Sequence, residues 1–298
     1  MISPISSPNL VKALLRRAAA VILLASMLAV VAAGAACSKE TKGFAGLMQS
    51  MPYSTSHFSY WDIGAMDSDE DLWEIYDRFK QSPDAEQLSE FVPVLATIKE
   101  SAKVVSYDNT TLVNPVVLFR GGFDMTSTEG ILETLNYSKI SYQKVGIWTR
   151  EDNQTIFDSV AIKSGTVLMG DVSDLRSCIN VIVRKDTRSL YKDPNIRLVT
   201  DRLPNGLVVE VARVDASHGE QYADLVAYGK SYTKVKKDML KLTAVYLFGD
   251  EPAANAAQQP VRDYLSASFG EVKVKRDGNL VIAPSQISIS RFAQSLEF

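Results

Sequence analysis

The sequence is poor in the residues from which disulfide frameworks and metal sites are built. Its 298 residues include two cysteines and two histidines, too few for a disulfide framework and few for a site with Cys or His ligands. The net charge of −3 provides no basic surface for nucleic acid. With 46% hydrophobic and 22% charged residues, the composition excludes disordered and multi-span membrane chains.

Signatures of familiar reactions are also missing or out of context. The chain has no Gly-x-Ser-x-Gly segment and no glycine-rich phosphate or dinucleotide loop. Ser141 and Lys144 match Ser-x-x-Lys, and a Lys-Ser-Gly segment at 163–165 resembles the second box of penicillin-recognising enzymes. In those enzymes the serine opens a helix, whereas Ser141 precedes a predicted strand and the two boxes are 22 residues apart. The repeat of the pattern at 231–234 indicates chance.

The remaining candidates for metal or acid–base chemistry have simpler interpretations. The acidic run 67–71 has Leu72 where a calcium loop requires glycine, so we interpret it as the start of a helix, where the helix dipole favours acidic residues. His57 and His218 each lack a second ligand at a suitable spacing. We therefore expect no metal, no cofactor and no enzymatic activity.

The N-terminus has the organisation of an export signal. Residues 1–36 contain Lys12, Arg16 and Arg17 and no acidic residue, and residues 18–36 are uncharged and largely apolar. A positive start, an apolar middle and a small-residue end are typical of a secretory signal peptide. Residues 37–50 then form a predicted polar tether.

The end of this segment resembles a bacterial lipobox, on the residues Gly34-Ala35-Ala36-Cys37. The resemblance implies that Cys37 becomes the lipidated first residue, carrying diacylglycerol and a fatty acid such as palmitate. Gly34 departs from the family pattern, which has Leu, Val or Ile there. Two alternatives stay open: an uncleaved membrane anchor, because 19 uncharged residues approach the length of a bilayer span, and ordinary secretion.

Removal of residues 1–36 makes the mature chain acidic. The remaining 29 Lys and Arg stand against 35 Asp and Glu, a net charge of −6, which anionic lipid repels. We therefore predict a location at the outer face of the cell membrane, held by the lipid anchor. The expected partners are the membrane and an envelope protein.

The body has the pattern of an α+β protein with a repeated order of elements. Met51-Pro52 and Leu203-Pro204, 152 residues apart, each precede a strand, and helical and strand patterns follow in a similar order. The sequence predicts antiparallel sheets with helices packed on one face, preceded by an N-terminal signal helix. The predicted modules are 51–185 and 186–298, and their shared order allows a duplicated module.

Specific predictions accompany this pattern. In the first module we predict strands at 58–63, 116–123, 145–149 and 156–162, with helices at 71–79, from a Thr126 capping box, and at 171–183. In the second module we predict strands at 207–214, 242–248, 271–275 and 279–283, with helices at 221–226 and around 253–265, where Pro260 should kink or split the helix.

A resemblance to bacterial extracytoplasmic lipoproteins of unknown function covers most of residues 51–283. It rests on Met51-Pro52, the strand and helix at 58–79, Gly122-Phe123-Asp124, Gly146-Ile147-Trp148, the segment 167–171 and the segment 189–207. These motifs mark turns and the ends of predicted strands and helices. The resemblance therefore implies a location and a fold, and it carries no catalytic residue.

A cluster of aromatic residues is the best candidate for ligand binding. Tyr60, Trp61, Trp73 and Tyr76 could stack on a sugar ring or hold a solute, although rings at this spacing usually fill a core. In a strand, Tyr60 and Trp61 point to opposite faces. Cys178 lies on the apolar side of its helix and is expected to be a buried, unreactive thiol. The three hypotheses are a non-catalytic binding or assembly ectodomain, a solute- or glycan-binding module, and a hydrolase.

Overall fold

A computed structural model describes residues 43–296 of the chain, apart from 84, 87–97, 109–110, 113–114, 151–157, 164, 185–186 and 215–221. One compact unit spans Lys42–Phe298. The predicted signal segment 1–36, Cys37 and His218 lie outside the described residues. Within the described part of the chain, no helix has both the length and the apolar composition needed to cross a bilayer.

The chain contains groups of consecutive strands separated by helices. The strands are β1 Thr55–Trp61, β2 Ile98–Asp108, β3 Thr111–Leu112, β4 Val116–Gly121, β5 Ser138–Tyr142, β6 Val145–Thr149, β7 Ser159–Lys163, β8 Thr166–Gly170, β9 Val208–Arg213, β10 Leu225–Lys236, β11 Met239–Phe248, β12 Lys275–Asp277 and β13 Leu280–Ser288. The helices are α1 Phe44–Met48, α2 Ile63–Asp67, α3 Trp73–Lys80, α4 Met125–Thr134, α5 Val172–Ile182, α6 Pro194–Thr200, α7 Glu251–Phe269 and α8 Ile289–Gln294.

The strands form one antiparallel sheet, which confirms the α+β class. Its order is β12-β13-β11-β10-β9-β1-β2-β4-β8-β7-β6-β5, with β3 paired to β2 alone. The two predicted modules meet where β1 pairs with β9, in a register that places Tyr60 opposite Val209. Residues 51–185 and 186–298 therefore contribute to one sheet.

Helices cover both faces of this sheet, which corrects the prediction of helices on one face. The first face carries α2, α3, α4, α7 and α8, and the second face carries α1, α5 and α6. The reason lies in the strands: four consecutive residues of β4, of β7 and of β8 are buried. A strand that is apolar on both sides must be covered on both sides.

The two halves repeat one order of elements around the β1–β9 pair. In the first half, α1 on the second face precedes the paired strands β1, β2 and β4, and α4 on the first face follows them. In the second half, α6 on the second face precedes β9, β10 and β11, and α7 on the first face follows them. A hairpin then returns its last strand to the third one, β8 beside β4 and β13 beside β11. The arrangement corresponds to an approximate two-fold axis perpendicular to the sheet. Common ancestry of the halves stays a prediction.

Three local expectations are corrected. The predicted tether 37–50 includes α1, whose Phe44, Leu47 and Met48 are buried in the core. The predicted helix at 221–226 is wrong over its described residues, because 222–224 form a turn and β10 begins at Leu225. The helix α7 is not split by Pro260. This proline lies on the solvent side of the helix, where water can satisfy the carbonyl that loses its donor.

Aspartate side chains start several helices. Asp124, Asp171, Asp193 and Asp250 each accept hydrogen bonds from backbone N–H groups in the first turn of the helix that follows. These bonds satisfy donors that the helix itself leaves unpaired. For α4, Asp124 takes this role in place of the Thr126 capping box that the spacing predicted.

A close backbone contact at Gly206 predicts a strong effect of a single methyl group. A Cβ at Gly206 would collide with Ser231 Oγ and lie 2.7 Å from the carbonyl oxygen of Tyr232. We expect Gly206→Ala to lower the free energy of unfolding by about 2 kcal/mol, because backbone must move to admit the methyl group. Gly130→Ala is the control, since no atom lies within 4 Å of its added Cβ in α4.

The control should raise the free energy of unfolding by up to about 1 kcal/mol through helix propensity. Urea unfolding followed by circular dichroism measures both variants. Equal stability of Gly206→Ala and wild type would contradict the close packing of this turn.

Candidate functional site

The structure divides the predicted aromatic cluster between the two faces of the sheet. Tyr60 is 2% exposed and belongs to the core of the second face, whereas Trp61 packs against the core of the first face. Tyr76 is buried on the first face, and Trp73, in the same helix, is 56% exposed. The four rings therefore do not form one binding floor.

Trp73 is exposed but already has a partner. Lys80 Nζ lies 4.3 Å from the centre of the Trp73 ring and 4.9 Å from that of Tyr76. These are cation–π contacts within one helix, and they occupy part of the ring surface that a ligand would use. Tyr60, another of the predicted ligand-binding residues, lines a cavity.

A cavity of about 410 Å³ adjoins Tyr60. It lies where β1 ends, between α1, the turn that precedes β9 and the far part of β10. The residues around it are Gly43, Phe44, Tyr60, Asp62, Asn205, Gly206, Leu207, Thr233 and Lys234. The lining combines the apolar side chains of Phe44 and Leu207 with several polar groups, so it is more polar than most small-molecule sites.

The position of Tyr60 is fixed by a partly buried polar network. Its hydroxyl group donates to Glu100 Oε1 at 3.2 Å, and the same oxygen accepts from the backbone N–H of Gly43 at 3.1 Å. Arg120 pairs with the other oxygen of Glu100 at 3.2 Å. Burial is the main reason why the pKa of Tyr60 is raised, so its hydroxyl stays protonated and continues to donate.

Lys234 brings a positive charge to the cavity, but its donors are occupied. Its Nζ lies 2.7 and 2.6 Å from the two carboxylate oxygens of Asp69 and 2.6 Å from Asp71 Oδ2. Hydrogen bonds to these carboxylates raise the pKa of Lys234. An ammonium group has three donors, and three short contacts to two carboxylates leave it little capacity for an anionic ligand.

Asp62 differs from Lys234 because its charge is poorly compensated. Its Oδ1 accepts one hydrogen bond, from the backbone N–H of Ala65 at 3.0 Å, as the cap of α2. Burial raises the pKa of Asp62, and the negative charge of Glu100 raises it further. No ion pair joins Asp62 to a cation among the residues that the structure describes.

Cys178 and His57 lie apart from this cavity. Cys178 is 1% exposed and carries a free thiol on α5. Burial, with a contribution from Asp174, raises its pKa to about 12, which makes it unreactive as a nucleophile. Burial lowers the pKa of His57 despite the opposing charge of Glu210. Both observations agree with the structural interpretation of these residues.

A second cavity, of about 340 Å³, brings a serine close to two lysines. Ser285, Lys241 and Lys273 line it, together with Phe269, Glu271, Pro284 and Gln286. The Ser285 hydroxyl group is buried and has no hydrogen-bond partner among the described residues. Activation of a serine requires a hydrogen bond to its base, and this geometry does not supply one.

The residues that define the first cavity were mostly missed by sequence reasoning. The sequence places Asp62 in a predicted strand and Lys234 in a chance Ser-x-x-Lys match, and it gives Asn205 no role beyond membership of the segment 189–207. No local pattern distinguishes them, because β1, the turn before β9 and β10 are brought together by strand pairing alone.

The comparisons with known proteins bear on the fold. No family model matches the chain, and no curated protein matches it. The chain is similar to the solved structure of TP0453 in its crystal form I, with 12% sequence identity and a TM-score of 0.50. The match covers 85% of this chain and 97% of that one. At this identity the similarity shows a shared fold.

The raised pKa of Asp62 predicts a characteristic pH dependence of stability. An unfolded aspartate titrates near pH 4, and the native carboxyl group retains its proton to higher pH. Its contribution to stability is therefore present below about pH 4 and is lost as pH rises through the native pKa. As pH rises from about 4 through the native pKa, Asp62→Asn should become more stable relative to wild type. The reason is that asparagine still caps α2 but carries no charge.

Urea unfolding at a series of pH values measures this difference. Asp263→Asn, on the exposed side of α7, controls for the loss of a carboxylate outside the cavity. For Asp69, whose pKa is lowered by its hydrogen bond to Lys234, the asparagine variant should show the opposite trend. A constant difference between Asp62→Asn and wild type across pH would contradict the assigned environment.

Proposed function

We propose that this chain is an exported lipoprotein, anchored through Cys37 at the outer face of the cell membrane, whose folded unit acts by binding rather than by catalysis. The observation that carries the proposal is the position of Cys37. It ends the apolar export segment and precedes Gly43, the first described residue, by six residues. A cysteine at this point is well explained by lipid attachment.

The short connection has a consequence for the cavity. Six residues reach about 20 Å at full extension, and Gly43 lines the cavity beside Tyr60. In a protein anchored at Cys37, the cavity would lie close to the bilayer surface. Its ligand would then be met at the membrane or in the space next to it.

The binding role is supported by the cavity and by the state of the reactive groups. The cavity has a polar lining with an apolar wall, whereas Cys178 is buried and the Ser285 hydroxyl has no base bonded to it. The separation of Tyr60 from Trp61 and Trp73 argues against the aromatic cluster as a glycan platform. We therefore place the ligand in the Tyr60 cavity and keep an envelope protein as the expected partner of the exposed surface.

Replacement of Cys37 tests the anchor. We expect wild-type protein expressed in a bacterial host to incorporate an alkyne analogue of palmitate and to fractionate with membranes. Cys37→Ala should lose the label, because the acceptor sulfur is gone. Cys178→Ala is the matched cysteine control and should keep the label, since Cys178 is buried in the folded unit.

The fractionation result separates the alternatives. A wild-type chain that stays in the membrane without the label, at the mass of the unprocessed precursor, would indicate an uncleaved anchor. An unlabelled wild-type protein in the soluble fraction would indicate ordinary secretion. Either result would overturn the lipoprotein proposal.

A further inference from the structure

The hydrogen-bonding capacity of the Tyr60 cavity is unbalanced. The Tyr60 hydroxyl donates to Glu100, and the ammonium group of Lys234 is held by Asp69 and Asp71. The donors of these two side chains are thus engaged. The Asp62 carboxylate accepts one backbone hydrogen bond and can accept more. The Asp62 carboxylate is therefore the charged acceptor on the lining that a donating group of a ligand could reach.

The charges around the cavity also favour a ligand that donates hydrogen bonds, and in particular a cation. Arg120 balances Glu100 at 3.2 Å, and the single charge of Lys234 faces two carboxylates. Asp62 adds a further negative charge on the lining. The local excess is negative, so an anionic ligand would be repelled and a cation attracted.

The size and lining of the cavity define the kind of cation. One lining carboxylate suits an ammonium group, whereas a divalent metal ion needs several oxygen ligands. Phe44 and Leu207 form an apolar wall beside Asp62, which suits a short alkyl chain. The volume of about 410 Å³ falls within the range of small-molecule sites.

We infer that the cavity binds a protonated primary amine on a short chain, with Asp62 as its counter-ion. This inference rests on the proposed function, which assigns the cavity a binding role. The amine has two possible sources with the same chemistry: a free alkylamine, and the head group of an aminophospholipid in the bilayer to which the protein is anchored.

A ligand series with a constant butyl group tests the charge requirement. The full chain in a non-ionic detergent is titrated with butylamine, butanol and butyrate by isothermal calorimetry. Butylamine should bind saturably and at least about tenfold more tightly than butanol, because a hydrogen bond to a charged group contributes that much. Butyrate should not bind. Equal affinities for butylamine and butanol would overturn the inference.

Variants test the role of Asp62. Asp62→Asn should weaken butylamine binding by about tenfold, whereas Asp263→Asn should leave it unchanged. Thermal unfolding shows whether Asp62→Asn is folded. If it is not, Asn205→Leu, on an exposed turn, serves as the second variant, because leucine removes an acceptor and fills the cavity. Unchanged butylamine binding in the folded variant would overturn the inference.

Vesicles distinguish the two sources. Phosphatidylcholine vesicles with and without phosphatidylethanolamine are added to the protein–butylamine complex. Displacement by the ethanolamine-containing vesicles alone assigns the head group, and no displacement by either assigns a free amine. Failure of amine binding is distinct from failure of the anchor, because palmitate labelling at Cys37 is measured independently.

Discussion

The pairing of β1 with β9 is the constraint on which the rest of the structure depends. This ladder joins the two halves of the sheet and sets the end of β1 against the turn before β9, where the Asp62 N–H donates to the Leu207 carbonyl at 2.8 Å. The Leu207 N–H in turn donates to the Tyr232 carbonyl at 2.8 Å, which draws in β10 and its Lys234. The cavity is the space left where these three segments converge.

Much of the fold could be predicted because its strongest signals are local. The helix α5 has apolar residues at helical spacing behind an aspartate cap, and β4 and β11 contain runs of apolar residues. The strands β2 and β10 were missed, since each mixes lysine and serine with apolar residues and shows no clear period. The helix α1 has five residues, too few for a pattern. Its place in the core depends on a sheet face that forms only through tertiary pairing.

The candidate site could not be predicted for a related reason. Its members come from segments more than 100 residues apart, and each has an ordinary local role: Tyr60 in a strand, Asp62 as a helix cap, Lys234 near a strand end. The charge of Lys234 alone would have suggested an anion site. Its contacts with Asp69 and Asp71 reverse that interpretation, because they consume its donors and leave Asp62 as the uncompensated charge.

The negative charge of the whole chain and the negative charge at the cavity have different effects. In the proposed lipoprotein, a net charge of −6 on the mature chain would disfavour approach to an anionic bilayer, and the lipid anchor would hold the protein there. At the cavity the same sign of charge acts at short range, where partial burial weakens solvent screening. In the proposed setting, a cation near the membrane would be attracted to Asp62, whereas the surrounding anionic lipid would not. Anchor and cavity charge together would select a cationic group at the bilayer surface.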